Sequence, residues 1–297
     1  MALQSRSASL ISLRTICLAA LIIGVVVLAT VALFTLPGLA GQPVRHALWG
    51  ASIAALATGL GALPVLFASP PSQRARDTLF GFGAGVMLAA CTFSLILPGL
   101  NAAAQLGHGN WASAGMMAAA VSLGAAALFL IERVLPHEHF VKGVEGGQPG
   151  NIRQTWLFVF AIALHNFPEG FAIGASFAGD YAAGATALSM GIAIQDVPEG
   201  LIVALALLTA GYARGVSVLL AALSGLVEPL GAFIGVSAIA YAAGLLPWGL
   251  GFAAGAMLFV VSHEIIPESH RQGHERHATA GLVGGFVMML ALDAGMA

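Results

Sequence analysis

The chain has 297 residues, of which 59% are hydrophobic and only 8% charged, with a formal net charge of −2. An ordinary soluble domain carries roughly 25% charged residues, and disordered chains are more polar still, so both classes are excluded. Long apolar runs point to a helical integral membrane protein, and 38 glycines suit closely packed membrane helices.

In chain order, apolar segments fall at 15–36, 47–68, 78–100, 111–131, 154–178, 183–211, 215–242, 246–266 and 278–296. Each approaches the roughly 20 residues that span a bilayer, so nine spans are predicted. Turn signals separate them, including Pro37-Gly38, Pro70-Pro71 and Gly146-Gly147-Gln148-Pro149-Gly150. The run that follows Arg14 and ends at Leu39-Ala40-Gly41 also fits a signal peptide, but it is long for one, and a true span is the favoured reading. With the N-terminus in the cytoplasm, all the Lys and Arg residues except Arg45 fall on the cytoplasmic side, and the C-terminus lies outside. Cys17 and Cys91 sit in apolar runs without metal-ligand spacing, and nothing in the charge suggests a nucleic-acid partner.

Ionisable residues inside spans are the next signal. Span five holds His165-Asn166-Phe167-Pro168-Glu169-Gly170, span six holds Gln195-Asp196-Val197-Pro198-Glu199-Gly200, and Glu228-Pro229 lies in span seven. A charge at the bilayer centre costs about 2.5–3.5 kcal/mol or more, so such residues are functional by default. No Lys or Arg lies in a span interior, which leaves protons or a metal cation to neutralise Glu169, Asp196, Glu199 and Glu228. His165 with Glu169 and Gln195 with Glu199 are four apart; Asn166 with Glu169 and Asp196 with Glu199 are three apart. Both spacings put side chains on one helix face. Each motif therefore offers two overlapping ligand pairs that share the glutamate. Pro168 and Pro198 are expected to kink their helices and free the carbonyls of Leu164 and Ile194, and Gly170 and Gly200 to admit a neighbouring helix. One motif repeated on consecutive, antiparallel spans implies a pseudo-two-fold axis in the membrane plane, as in many transporters.

These residues resemble the ZIP (ZRT/IRT-like) family of divalent metal transporters. The two Pro-Glu-Gly motifs look like its fourth- and fifth-helix motifs, and His263-Glu264-Ile265-Ile266-Pro267-Glu268-Ser269 is similar to a motif near the cytosolic end of a late helix. The resemblance covers spans two to nine. It implies an all-α, eight-helix 3+2+3 inverted-repeat bundle, here with one extra N-terminal span. Residues 1–297 then form a single transmembrane domain: 1–43 the extra helix, 44–297 the core, and 134–153 a cytosolic His-containing loop. It further implies a binuclear centre. One ion would be held by Met87, His165, Glu169, Gln195 and Glu199, the other by Asn166, Glu169, Asp196, Glu199 and Glu228, with Glu169 and Glu199 bridging.

Imidazole with carboxylate suits Zn(II), and a thioether adds affinity for Cd(II). Clustered acids share protons until a cation displaces them, so metal binding should release protons. His263, Glu264 and Glu268 are expected at the cytosolic end of span eight, where Pro267 would stop the helix and an ion would exit. His137 and His139, with His270, His274 and His277, are candidates for weak capture in the cytosolic loops.

The expected function is influx of divalent metal across a cell membrane of the bacterial inner-membrane type, by alternating access. No cofactor is expected, and the partners are the ions and the lipid bilayer, with a homodimer allowed. A transporter of protons or another substrate is the alternative. An intramembrane metalloprotease is disfavoured, because His-Glu-x-x-His would need a histidine where Pro267 stands.

Overall fold

A computed structural model describes residues 41–134, 152–179 and 182–296, and among these no strand occurs. Eight long helices follow one another. They are α1 (Gln42–Phe67), α2 (Gln73–Gln105), α3 (Asn110–Val134), α4 (Ile152–Phe177), α5 (Ala182–Thr209), α6 (Arg214–Tyr241), α7 (Leu246–His270) and α8 (Glu275–Met296). All but α4, whose side chains are described only from His165 onward, are seven helices long and apolar enough to cross a membrane. The first predicted span and the loop bearing His137 and His139 lie outside the described residues.

The helices outrun the apolar segments at their polar ends; α2 begins at Gln73, where Ser72 accepts a hydrogen bond from the Ala75 amide at 3.3 Å. Pro43 and Pro247 open α1 and α7, a position where a missing N–H costs nothing. Arg214 at the start of α6 donates to the Val65 and Leu66 carbonyls at 3.3 Å, while the His46 ring at the start of α1 lies tilted beside Phe177 at the end of α4. These contacts fix which helix ends lie together. Arg74, Arg76, Arg133, Arg214, Arg271 and Arg276 all gather at one end of the bundle and Arg45 sits at the other.

The most extensive helix contacts are α2 with α8, α4 with α6, α1 with α5, and α3 with α7. Glycines set each crossing. A Cβ on Gly200 would fall on the Thr58 carbonyl and one on Gly61 on the Val197 carbonyl, so α1 and α5 touch backbone to backbone from both sides. Gly170 against Glu228 and Gly231 against Phe167 do the same for α4 and α6. The close approach expected of Gly170 and Gly200 is therefore present. Such contact gains dispersion where lipid leaves little hydrophobic drive between helices.

Several helices are interrupted where the sequence suggested none. α2 widens into a π-helix at Ala90–Ile96 before Pro98, and α7 does so at Val261–Ile265 before Pro267. A wide turn gives room for a ring that would otherwise strike the carbonyl four residues back. Contrary to the expectation from sequence, Pro267 does not stop α7; the helix passes through it to His270. Helices α4 and α5 likewise run on through Pro168 and Pro198. α6 breaks at Leu226 between Arg214–Gly225 and Val227–Tyr241, with Pro229 in the first turn of the second piece.

The crossings make an adjacent pair of substitutions informative. A Cβ on Gly285 would strike the Phe82 carbonyl of α2, whereas one on Gly284 meets nothing within 4 Å. Gly285→Ala should cost about 1–3 kcal/mol through overpacking and lower the melting temperature in detergent. Gly284→Ala should leave it unchanged or raise it.

Candidate metal centre

Two helices supply most of the site. Pro168 and Pro198 are tolerated mid-helix because neighbouring helices at the glycine crossings hold the backbone in place. The i, i+3 and i, i+4 spacings then aim the polar residues of α4 and α5 at each other. One ligand oxygen each from Glu169, Asp196 and Glu199 can be chosen so that all lie within 4.8 Å of one another. Among the described residues this is the only such group of three His, Cys, Asp or Glu side chains. No Lys or Arg occurs between positions 165 and 209.

The remaining sequence candidates are buried around this group. Gln195 donates its amide to Glu169 Oε1, and His165 Nε2 lies 2.8 Å from Glu264 Oε2. The break at Leu226 puts Glu228 in the first turn of a helix, where the N-terminal dipole favours a carboxylate. Glu228 Oε1 receives the Thr58 hydroxyl at 3.4 Å. It is close enough to Glu169, Asp196 and Glu199 for their charges to act on one another. Met87, buried in α2, lines the same cavity as His165, Glu169, Gln195 and Glu199.

Many polar atoms here make no hydrogen bond within the protein. They are both side-chain atoms of Asn166, both carboxylate oxygens of Asp196, and one oxygen each of Glu169, Gln195, Glu199 and Glu228. A buried polar atom without a partner costs about 1–3 kcal/mol, more when charged, so a cluster of them is stabilised by a bound cation or by shared protons. The donors are mostly carboxylate and amide oxygens with one imidazole and one thioether. That set fits a borderline divalent ion.

The cavity is one-sided. Beyond the centre it runs along Phe80 and Gly83 of α2, Ile202 of α5, and Glu264 and Glu268 of α7, toward the Arg-rich end of the bundle. Asn166, Asp196 and Glu228 lie behind it, out of its lining. On the opposite side the helices close over buried Ala90, Leu188, Ile192 and Met257.

The three polar residues of late α7 have different partners. Glu264 reaches the central His165, His263 pairs with Glu132 of α3 at 3.0 Å, and Glu268 pairs with Arg271 at 3.4 Å. Adjacent helix residues do not share a face, so Glu264 and His263 meet different neighbours. At the end of α7 His270 bonds the Ile266 carbonyl at 3.0 Å, and in the turn before α8 His274 bonds buried Asp77 at 2.9 Å. The His277 ring lies edge-on to His274. Metal capture by these histidines would compete with those bonds. Sequence reading missed Thr58, Asp77 and Glu132. The only forewarning was the four-residue spacing of Gln73 and Asp77, which are hydrogen-bonded at 2.7 Å.

The family model described as ZIP Zinc transporter matches residues 142–293. The chain is 46% identical over 241 residues to Zinc transporter GufA of Myxococcus xanthus, covering 81% of this chain and 95% of that protein. It is 47% identical over 292 residues to Zinc transporter ZIPB of Bordetella bronchiseptica, covering 98% and 93%. Zinc transporter ZIP11 of Homo sapiens is 31% identical over 320 residues, covering 80% and 94%.

If the carboxylates are held together against their repulsion, removing one charge should stabilise the metal-free protein. Glu169→Gln should raise the melting temperature measured in chelator and abolish the further rise that zinc gives the wild type. A zinc-induced rise of wild-type size in the variant would show that Glu169 is not a ligand.

Proposed function

The chain belongs to the ZIP zinc transporter family, and on that premise we propose that it carries Zn(II), and also Cd(II), into the cytoplasm through the centre on α4, α5 and α6. It is a multi-pass membrane transporter of divalent metal and not an enzyme. The observation that carries the finer reading is the mid-helix cluster of Glu169, Asp196 and Glu199, the first two buried and the third partly so, with unpartnered oxygens and no Lys or Arg in α5 or in α4 from His165 onward.

We assign the centre two subsites. His165, Gln195 and Met87 belong to the one the cavity reaches, Asn166, Asp196 and Glu228 to the one behind it, and Glu169 and Glu199 bridge. Four carboxylates balance two dications. The split in accessibility supports this division, because the two sets of ligands meet different surroundings.

We place the Arg-rich end in the cytoplasm of a cell with a bacterial inner membrane, following the positive-inside rule. The cavity then opens inward while apolar residues seal the outer side, which supports alternating access. The pairing of helices supports an inverted 3+2+3 repeat. Exchanging α1–α3 with α6–α8 and α4 with α5 turns the α2–α8 contact into α7–α3, and the α1–α5 contact into α6–α4. The π-turns of α2 and α7 exchange as well. Glu264 is the first exit ligand, since it already touches His165, and Glu268 follows it along the cavity.

Uptake of radioactive zinc into proteoliposomes tests this. Glu169→Ala and Glu199→Ala should abolish uptake, because each removes a bridge, while Asp196→Ala should retain part of it. Equal loss in all three would count against two subsites. A His263→Ala, Glu264→Ala double variant should still bind zinc at the centre but transport it more slowly at limiting metal.

A further inference from the structure

Thr58 of α1 is fully buried and absent from every sequence-level assignment of the site. A serine or threonine inside a helix ordinarily donates its hydroxyl to the carbonyl one turn back. Thr92, Ser122, Thr186, Ser189 and Ser262 do so here, at 3.0, 2.8, 2.8, 2.8 and 2.7 Å. At Thr58 that bond, to Ala54, is stretched to 3.4 Å, and the same hydroxyl stands 3.4 Å from Glu228 Oε1. The hydroxyl has one proton and two acceptors, and it has been drawn off its local carbonyl toward the carboxylate.

The backbone holds this arrangement. The Thr58 carbonyl lies against Gly200 at the α1–α5 crossing, and the Glu228 carbonyl lies against Gly170 at the α4–α6 crossing. The two residues therefore occupy matching places, each beneath the glycine of a Pro-Glu-Gly motif. A Cβ on Gly225 would meet Thr58 Cβ at 3.0 Å and Oγ1 at 3.1 Å, so the break in α6 leaves room for the threonine and little more. Neither crossing can slide without a backbone collision. The other oxygen of Glu228, Oε2, has no hydrogen-bond partner.

We propose that Thr58 is a positioning residue of the metal centre: by holding Glu228 Oε1 it leaves Oε2 free to bind the ion shared with Asp196 and Asn166. The proposal rests on reading the carboxylate cluster as a zinc centre. Thr58 does not touch the ion; it selects which oxygen Glu228 presents and spares the ion the cost of ordering that side chain.

Two near-isosteric changes separate this from a packing role. Thr58→Val keeps the volume and removes the hydroxyl; Thr58→Ser keeps the hydroxyl and removes a methyl group. Zinc affinity is measured by equilibrium titration of the purified full chain in detergent, against a fluorescent zinc indicator, with melting temperatures recorded alongside. Thr58→Val should bind zinc about tenfold more weakly, the effect of losing one hydrogen bond to a charged group. Thr58→Ser should bind nearly as wild type. In a Glu228→Gln background, Thr58→Val should have no further effect, because the residue acts through Glu228. Unchanged affinity in Thr58→Val would overturn the proposal, as would Thr58→Ser being the weaker binder and less stable, or an equal loss in the Glu228→Gln background. A wild type that binds no zinc at all would instead defeat the zinc-centre reading itself, and this proposal with it.

Discussion

Mutual repulsion of buried carboxylates is the constraint that the rest of the structure answers to. Glu169, Asp196, Glu199 and Glu228 sit close together in the interior, Glu199 partly exposed to the cavity and the other three buried, with no Lys or Arg between positions 165 and 209. Such a group forces apart any scaffold that is free to relax. Here the scaffold is not free, because the helices carrying the acids cross their neighbours at glycines with carbonyl against Cα. The start of a helix at Val227 offers Glu228 a favourable dipole, and Gln195 offers Glu169 an amide. These partial compensations leave enough acceptor capacity for a cation to complete.

The grouping of candidate ligands on α4 and α5 was legible in the sequence because local spacing alone decides it. Residues three and four apart on a helix share a face whatever the tertiary structure, so His165, Asn166 and Glu169, and Gln195, Asp196 and Glu199, could be grouped before any fold was known. Glu228 was visible as a buried acid, but the break that places it in a first turn was not. Gly225 and Pro229 both stand near Leu226, yet Pro168 and Pro198 stand in equally apolar runs and do not break their helices. The difference lies in what packs alongside, and a single chain does not display that.

The same limit explains late α7. His263, Glu264 and Glu268 were read as one group at a helix end because Pro267 was expected to terminate the helix. The helix instead runs on through the proline, and its adjacent residues face different neighbours: Glu264 meets His165 and His263 meets Glu132. Thr58 was illegible for another reason. Hydroxyls in membrane helices are common and usually bond their own backbone, so only the stretched distance to Ala54 marks this one.

The one-sidedness of the cavity has a kinetic meaning. Its wall includes His165 and Gln195 and stops short of Asn166, Asp196 and Glu228. An ion on the nearer side can trade ligands for water one at a time, the cheap route to dissociation. On the proposed two-subsite reading, an ion on the farther side lies away from that wall and must pass Glu169 and Glu199 to leave. Two ions held there would exchange with unequal lifetimes, the deep one loading first and departing last. A centre of that kind behaves as a queue rather than as two equivalent seats.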